Sequence, residues 1–408
     1  MPALLTKWGI PLLLLAATTL NYLDRQTLGI LAPVIQKEMD LDNEALGWLF
    51  SVFYYSYTFS QFGIGALLDR ANLRWTYGLG VLAWSASCAA TGLAGSFRGL
   101  VGFRLLLGIT ESVNWPAALR VISGVLEPRD RQLGNGIFTS GTSVGAVIAP
   151  TIIGGVAALF GWRWAFVAVG ALGAVWFAAW IFFTRAARLA PAWRPAAGRQ
   201  RPSGYRVVLL PQFWRVFGVT LLVNPCLYFE LNWLPTYFVQ HRGFEAGQKL
   251  VWALTAIYVG LDLGYLASGA AALWLARRGL AIRRARRVVF LAASALMLVS
   301  AVVPFLPGFP AALSALMVVN FAIGVWIPVY LTMAQEVSTE HVSTAAGLLG
   351  GSGSLAGALA MWGVGRVTQR TGSFAIPMAA VSVAAVLAAG AGWVVTRPPM
   401  PAPEEGYT

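Results

Sequence analysis

Long apolar segments recur along the whole chain, and this pattern restricts the possible folds more than any other feature. Segments such as GIPLLLLAATTL and AVSVAAVLAAGAGWVV contain no charged residue, and about 20 mainly apolar residues are enough for a helix to cross a bilayer. Only 11% of the 408 residues are charged, whereas a soluble domain carries about 25%. Most of the folded surface must therefore face an apolar solvent, and the sequence predicts an all-α membrane protein.

The apolar segments number twelve and form two groups of six, at residues 9–34, 45–69, 75–95, 99–126, 133–159 and 163–184, and at 211–238, 248–276, 286–306, 311–334, 343–367 and 373–396. GALLDRANLR (Gly65–Arg74), which ends the second segment, is echoed by GAAALWLARR (Gly269–Arg278), which ends the eighth. Duplicated halves recur in membrane proteins that hold a site at the bilayer midplane. We therefore expect an N-terminal six-helix bundle at 1–184, a cytoplasmic connector at 185–210, a C-terminal six-helix bundle at 211–396 and a disordered cytoplasmic tail at 397–408.

Arginine residues cluster in alternate loops, near residues 70–74, 120–131, 185–206 and 277–287. The loops between these clusters are poor in arginine or acidic, as in KEMDLDNEA. Basic loops of membrane proteins stay in the cytoplasm, so we expect both termini there, in a multi-pass protein of the bacterial inner membrane. This rule accounts for the formal net charge of +13, and no nucleic-acid partner is expected. The expected surroundings are the lipid bilayer, and the expected state is a monomer.

The sequence offers little for catalysis. Cys88 and Cys226 both lie in apolar segments, and the two histidines are far apart in the chain. No nucleophile–base pair or metal cluster is indicated, and the GxxxxGK[ST] phosphate-binding motif of ATP-driven proteins is missing. We therefore expect no enzymatic activity, no cofactor and no bound metal.

Six ionisable residues fall well inside the predicted spans. Each costs about 2.5–3.5 kcal/mol on insertion scales, so such residues usually face a water-filled cavity and pair with one another. Arg104 and Glu111 are two helical turns apart and share a face, and we expect Gly108 between them to leave room for a ligand. A static ion network that joins the first and fourth helices is the alternative. The six residues are Asp24, Arg25, Arg104, Glu111, Glu230 and Asp262.

These residues suggest two chemical tasks. Arginine stays charged at any working pH and offers a planar fork to a carboxylate, so Arg25 and Arg104 are candidates to bind an organic anion. A carboxyl group beside an arginine can gain and lose a proton with small movements, and Asp24 and Glu111 are the candidates. Tyr22 shares the face of Arg25 and is a further candidate ligand contact.

Polar residues also line one face of the second helix, where they either contact a ligand or join helices. They are Tyr54, Tyr57, Thr58 and Gln61. Ser352 and Ser354 in GGSGSLAG are candidate contacts from the second half, or positions of close packing. Glu230 is either a second proton site or a residue in water near the outer mouth. For Asp262 we favour a structural pairing with the seventh helix or with the cytoplasmic arginines.

Several motifs resemble those of a known family. GALLDRANLR, with Gly65, Asp69, Arg70 and Arg74, resembles the gating-loop signature of the major facilitator superfamily, and GTSVGAVIAP resembles its fifth-helix element. The motifs NYLDR, RLLLGITESVNWPAAL, NWLP and YVGLDLG together resemble the anion:cation symporter family, which includes bacterial hexuronate and galactonate transporters. Glu230 departs from this resemblance, because the family usually has an aromatic residue there.

The resemblance implies twelve helices in two pseudo-symmetric bundles and proton-coupled symport of a small organic anion. It assigns proton and anion binding to Asp24, Arg25, Arg104 and Glu111, and ligand contacts to Tyr22 and Tyr57. Galactonate-type carriers have a glutamine where Thr142 and Ser143 stand, so the small hydroxyl pair is similar to the hexuronate branch. The alternatives are a monocarboxylate or aromatic-acid carrier and a spinster-type exporter of amphiphiles, whose cavity should be mainly apolar.

Overall fold

The computed structural model describes residues 2–41, 43–185, 204–243 and 248–395. Most of the predicted connector and the predicted tail at 397–408 lie outside these residues. Within them the chain forms helices only, and no strand. The first half contains α1 (Pro2–Met39), α2 (Asn43–Arg70), α3 (Leu73–Thr91), α4 (Phe97–Glu111), α5 (Asn114–Val125), α6 (Arg131–Phe160) and α7 (Trp162–Phe183).

The second half begins with a 3₁₀ segment at Gly204–Leu209. It continues with α8 (Pro211–Arg242), α9 (Gln248–Arg277), α10 (Ile282–Leu296), a 3₁₀ segment at Met297–Phe305 that prolongs α10, α11 (Gly308–Gln335), α12 (Val342–Thr371) and α13 (Ala375–Val395). Because α4 and α5 form one span and α10 and its extension another, the helices make twelve spans, as the sequence predicts. Seven described helices are long and apolar enough to cross a membrane on length and composition alone.

The fourth span differs from the prediction of one continuous helix at 99–126. It breaks at Ser112–Val113, between α4 and α5. Pro116 explains the break, since a proline ring clashes with the carbonyl four residues earlier, here that of Ser112. The buried Asn114 side chain fixes the start of α5 by accepting a hydrogen bond from Tyr77 Oη at 2.8 Å. Glu111 therefore sits at the end of a helix.

Each half has its own hydrophobic core. The first core includes Trp84 and Trp180, and the second includes Trp326 and Tyr237, all fully buried. Lipid supplies little hydrophobic drive for helix association, so close packing through small residues becomes important. Gly264 of α9 and Gly324 of α11 face each other so closely that a Cβ on either would meet the other backbone.

The two repeated motifs occupy equivalent places at the junction of the halves. A Cβ on Gly65 of α2 would collide with the Ser343 backbone of α12, and one on Gly269 of α9 would collide with the Leu133 backbone of α6. In each half, one helix thus packs its end against the other half, and a glycine forms the contact. This arrangement agrees with two pseudo-symmetric bundles.

One end of the molecule, which we call the basic end, carries the arginine-rich ends of α2, α5, α6, α9 and α10. Side-chain hydrogen bonds join the two bundles there. Gln132 donates to the Ser268 carbonyl at 2.8 Å and Asn135 donates to Thr332 Oγ1 at 2.9 Å. Gln335 Nε2 donates to the Leu119 carbonyl at 2.7 Å. The bundles are therefore closed against each other at the basic end.

Candidate functional site

A cavity of about 280 Å³ lies between the bundles, near the lower limit of about 300–1,000 Å³ for small-molecule sites. Because hydrogen bonds join the two bundles at the basic end, access to the cavity is from the opposite end. Its polar lining comes from both halves: Tyr22, Arg25, Gln26, Tyr54, Tyr57, Gln61, Arg104, Thr142 and Ser143, and Asn224, Tyr228, Asn232, Tyr258, Tyr330 and Ser354.

Arg25 forms an ion pair in the wall of this cavity. Its Nε donates to Glu111 Oε2 at 2.9 Å, and the Glu111 side chain is fully buried. The guanidinium also lies over aromatic rings, with its carbon 4.5 Å from the Tyr57 centroid and 5.2 Å from the Phe53 centroid. A cation–π contact of a desolvated cation contributes about 2 kcal/mol or more. The aromatic rings and the Glu111 carboxylate thus both stabilise the charge of Arg25.

Arg104 is buried without an anionic partner. Its side chain lines the cavity and the residue is 2% exposed. No carboxylate of the described residues lies within 4.0 Å of it, and its Nε has no hydrogen-bond partner. The Phe53 ring lies 5.7 Å from the guanidinium carbon, and Glu111 and Asp24 interact with Arg104 electrostatically from beyond ion-pair distance. A buried unpaired cation is costly, so the site favours a carboxylate supplied by a ligand.

Asp24 is not among the residues that line the cavity. It is 1% exposed, and neither carboxylate oxygen has a hydrogen-bond partner among the described residues. The carboxyl lies beside Cys88 and Trp84 of α3 and interacts electrostatically with Glu111 and Arg104. Asp24 and Arg25 therefore have different surroundings, as expected for neighbours on a helix.

The structure places most predicted ligand contacts in the cavity wall. Tyr22, Tyr57, Thr142, Ser143 and Ser354 line it, whereas Ser352 does not. Two of the hydroxyls are already engaged: Gln61 Nε2 donates to Tyr57 Oη at 2.8 Å, and Ser354 Oγ lies 3.3 Å from Tyr228 Oη. Ser143 Oγ is buried, and Asp262 of α9 lies beside it.

Sequence reasoning missed the polar contribution of the second half. Asn224, Tyr228 and Asn232 line the cavity from α8, and their i, i+4, i+8 spacing is a signal that could have found them. Tyr258 of α9 and Tyr330 of α11 also line the cavity, and Tyr258 lies one helical turn before Asp262 on the same helix.

The expected role of Gly108 is wrong. A Cβ at this position would collide with Ser56 Oγ and the Phe53 carbonyl of α2. Gly108 therefore allows α4 to pack closely on α2, and it leaves no room for a ligand.

Glu230 and Asp262 also differ from their expected surroundings. Glu230 is fully buried and accepts a hydrogen bond from Asn320 Nδ2 at 2.9 Å, which contradicts a position in water near the outer mouth. Asp262 lies beside Ser143 of α6 and has no ion pair with the described arginines. The expected ion pair with the cytoplasmic arginines is therefore not formed among the described residues.

The gating-loop motif lies at the basic end. Asp69 accepts hydrogen bonds from the Ser343 and Thr344 amides at 3.1 and 2.9 Å, and it thereby caps the first turn of α12 from the other bundle. Arg74 instead binds α7, through Thr184 Oγ1 at 3.0 Å and the Ile181 carbonyl at 2.7 Å. Arg70 is exposed. The motif therefore both closes the basic end and braces the first bundle.

At the opposite end, Glu38 joins α1 to α7 beyond the predicted span 9–34. It accepts a hydrogen bond from Trp162 Nε1 at 2.6 Å and pairs with Arg163. The hydrogen bond from Arg163, followed by that from Trp162, lowers the pKa of Glu38 below its usual range.

Two helical bundles enclose a cavity that has a buried arginine in its wall, an arrangement typical of multi-pass membrane transporters. Residues 14–361 match the family profile of the Major Facilitator Superfamily, and the chain belongs to this superfamily. It is a transporter and not an enzyme.

Curated relatives and solved structures agree with this assignment. The chain is 26% identical to the hexuronate transporter of Escherichia coli strain K12, over 96% of this chain and 94% of that protein. It is also 26% identical to the D-galactonate transporter of E. coli O6:H1, over 65% and 67%. The E. coli fucose:proton symporter has a similar fold, with a TM-score of 0.72 at 14% identity, over 96% of this chain and 100% of that chain.

Proposed function

We propose that this protein carries a small organic anion, specifically a sugar acid such as a hexuronate or an aldonate, together with protons by alternating access. The proposal rests on Arg104, a buried cation in the cavity wall. No carboxylate of the described residues lies within 4.0 Å of its side chain. The hexuronate and galactonate transport stated in the relatives' names supports the choice of ligand.

In the proposed cycle the ligand carboxylate binds Arg104 through a charge-assisted hydrogen bond. Arg25 is held by Glu111 until that carboxyl takes up a proton. Protonation then frees Arg25 for the ligand, while the rings of Tyr57 and Phe53 keep its guanidinium in place. After ligand release the proton leaves and the Arg25–Glu111 pair forms again. Asp24, which interacts with Arg104, is the second coupling carboxyl.

Hydroxyl groups of the sugar acid would bind the polar lining. Tyr22, Tyr57, Thr142, Ser143 and Ser354 supply hydroxyls in the wall, and such groups both donate and accept. The small Thr142–Ser143 pair favours a hexuronate over an aldonate. The wall also contains apolar residues, among them Phe50, Leu227 and Leu231, so an amphiphile is the alternative ligand.

The orientation follows from the positive-inside rule. We place the basic end and both termini in the cytoplasm of a bacterial cell, with the protein in the inner membrane. The structure, which is closed at the basic end, then corresponds to an outward-facing state.

A thermal-shift panel on purified protein tests the ligand. Glucuronate, galacturonate and galactonate are compared with benzoate and lactate, for the parent and for Arg104→Ala. A ligand at 100 times its Kd stabilises the folded state by about 2.7 kcal/mol, so a sugar acid should raise the Tm of the parent and not that of the variant. Stabilisation by benzoate or lactate alone would identify a monocarboxylate carrier, and stabilisation of both proteins alike would show that Arg104 does not bind the anion.

A further inference from the structure

A second buried carboxyl lies in the C-terminal bundle, apart from the four charged residues of the proposed mechanism. Glu230 of α8 has no exposed surface, and no described cation lies within 4.0 Å of it. Its Oε2 accepts a hydrogen bond from Asn320 of α11, whose Nδ2 also donates to the Leu316 carbonyl at 3.0 Å. Asn320 is likewise fully buried.

The Glu230–Asn320 pair has more hydrogen-bond acceptors than donors. Both hydrogens of Asn320 Nδ2 are used, one on each acceptor. Glu230 Oε1 and Asn320 Oδ1 are buried, and neither has a partner among the described residues. A carboxylate cannot donate, whereas a carboxylic acid carries one O–H. A single proton on Glu230 therefore supplies the donor that the two oxygens lack.

Electrostatics leads to the same state. A buried carboxylate without a paired cation is strongly disfavoured. The titratable neighbours that interact with Glu230 are Cys226 and Tyr237 of its own helix and Tyr258 of α9, and none of them carries positive charge. A proton needs only one acceptor, whereas a bound metal cation needs about six oxygens, of which the pair leaves two free.

Both residues of the pair lie on helices that also line the cavity. Tyr228, Leu231 and Asn232, which flank Glu230 on α8, line the cavity, as does Tyr258. On α11, the lining residues Ile327 and Tyr330 follow Asn320 along the same helix. Movements of α8 and α11 during transport would therefore change the surroundings of the carboxyl.

We propose that Glu230 and Asn320 form a further proton-binding site, which is occupied in this conformation and releases its proton during the transport cycle. The inference rests on the proposed function and adds one proton, bound by the C-terminal bundle, to those bound by the N-terminal bundle.

The proton-to-substrate ratio of reconstituted protein tests this site. The ratio is measured in proteoliposomes from the pH gradient that just balances a fixed gradient of glucuronate, or of the sugar acid that stabilises the protein. Glu230→Gln keeps the shape and the hydrogen bonding but cannot release a proton, so the ratio should fall by one. Glu340→Gln removes an exposed carboxyl of the same bundle and should leave the ratio unchanged. An infrared spectrum of the parent should contain a carboxylic-acid C=O band that Glu230→Gln lacks.

The outcomes separate the two proposals. A parent that moves protons with a ratio equal to that of Glu230→Gln would overturn the second site alone. A parent that moves no protons would overturn the proposed coupling as well. Accumulation that follows a sodium gradient in the parent and not in Glu230→Gln would show that the pair binds sodium, against this inference.

If Glu230→Gln does not fold, Asn320→Ala gives the same test in another form. It removes the hydrogen bond that Asn320 donates to the carboxylate, so deprotonation becomes harder and the alkaline limb of the pH profile of uptake should move to higher pH. An unchanged profile in a folded variant would contradict a titrating site.

Discussion

Replacing Arg104 by lysine separates anion recognition from fold stability, because this arginine has no carboxylate partner within the described structure. Lysine keeps the positive charge but lacks the planar fork that binds a carboxylate through two parallel hydrogen bonds. Loss of one charge-assisted hydrogen bond costs about 1.5–3 kcal/mol, which corresponds to roughly a 10- to 100-fold weaker Kd. Arg104→Ala should weaken binding further.

Arg25 provides the matched comparison. It is paired with Glu111 at 2.9 Å, and removing one partner of a buried pair costs about 3–5 kcal/mol. In the absence of ligand, Arg25→Ala should therefore lower the Tm clearly, whereas Arg104→Ala should lower it little or raise it. Calorimetric titration with the stabilising sugar acid gives Kd, and thermal unfolding gives Tm. Unchanged affinity in Arg104→Lys, or an equal loss of Tm for both alanine variants, would refute the distinct roles of the two arginines.

Three further predictions concern the ends of the molecule. Asp69→Ala removes the cap of α12, worth about 1 kcal/mol, so a cysteine placed at the buried Thr332 should react faster with a water-soluble maleimide than in the Asp69 parent; an equal rate would contradict a gating role. A cysteine at position 195, in the predicted cytoplasmic connector, should react in intact cells only with membrane-permeant reagents, and labelling by an impermeant reagent would reverse the topology. The pKa of Glu38 is lowered in the folded state, so the stability that Glu38 contributes is present above its usual pKa of 4.5 and is lost as the pH falls through the lowered pKa. The Tm of the parent should therefore fall slightly more in acid than that of Glu38→Gln. Parallel acid profiles of the two proteins would show that the contact contributes nothing.

The sequence was sufficient for the spans because bilayer thickness imposes a minimum length on every apolar span. The repeated glycine motifs also indicated two related bundles, since a backbone contact between helices tolerates only glycine at Gly65 and Gly269. The break at Ser112–Val113 could have been predicted from Pro116. Its position was missed because the apolar pattern continues through the break.

The arrangement of charges was only partly predictable. Helical spacing placed Arg104 and Glu111 on one face, but it could not show that Glu111 binds Arg25 while Arg104 remains without an anion. That difference depends on the rotation of α1 against α4, which tertiary packing sets. Gly108 illustrates the same limit, because one helix alone cannot tell a glycine that opens space from one that brings α2 close.

Proton-driven accumulation, measured beside counterflow, tests the central claim most directly. Proteoliposomes containing the parent, Glu111→Gln or Asp24→Asn are loaded for both assays at several pH values, with the sugar acid that stabilises the parent. The parent should accumulate substrate along a proton gradient. The amide variants should lose accumulation and keep counterflow, because they bind and exchange substrate without carrying a proton. Accumulation by both amide variants at the level and pH dependence of the parent would contradict the account.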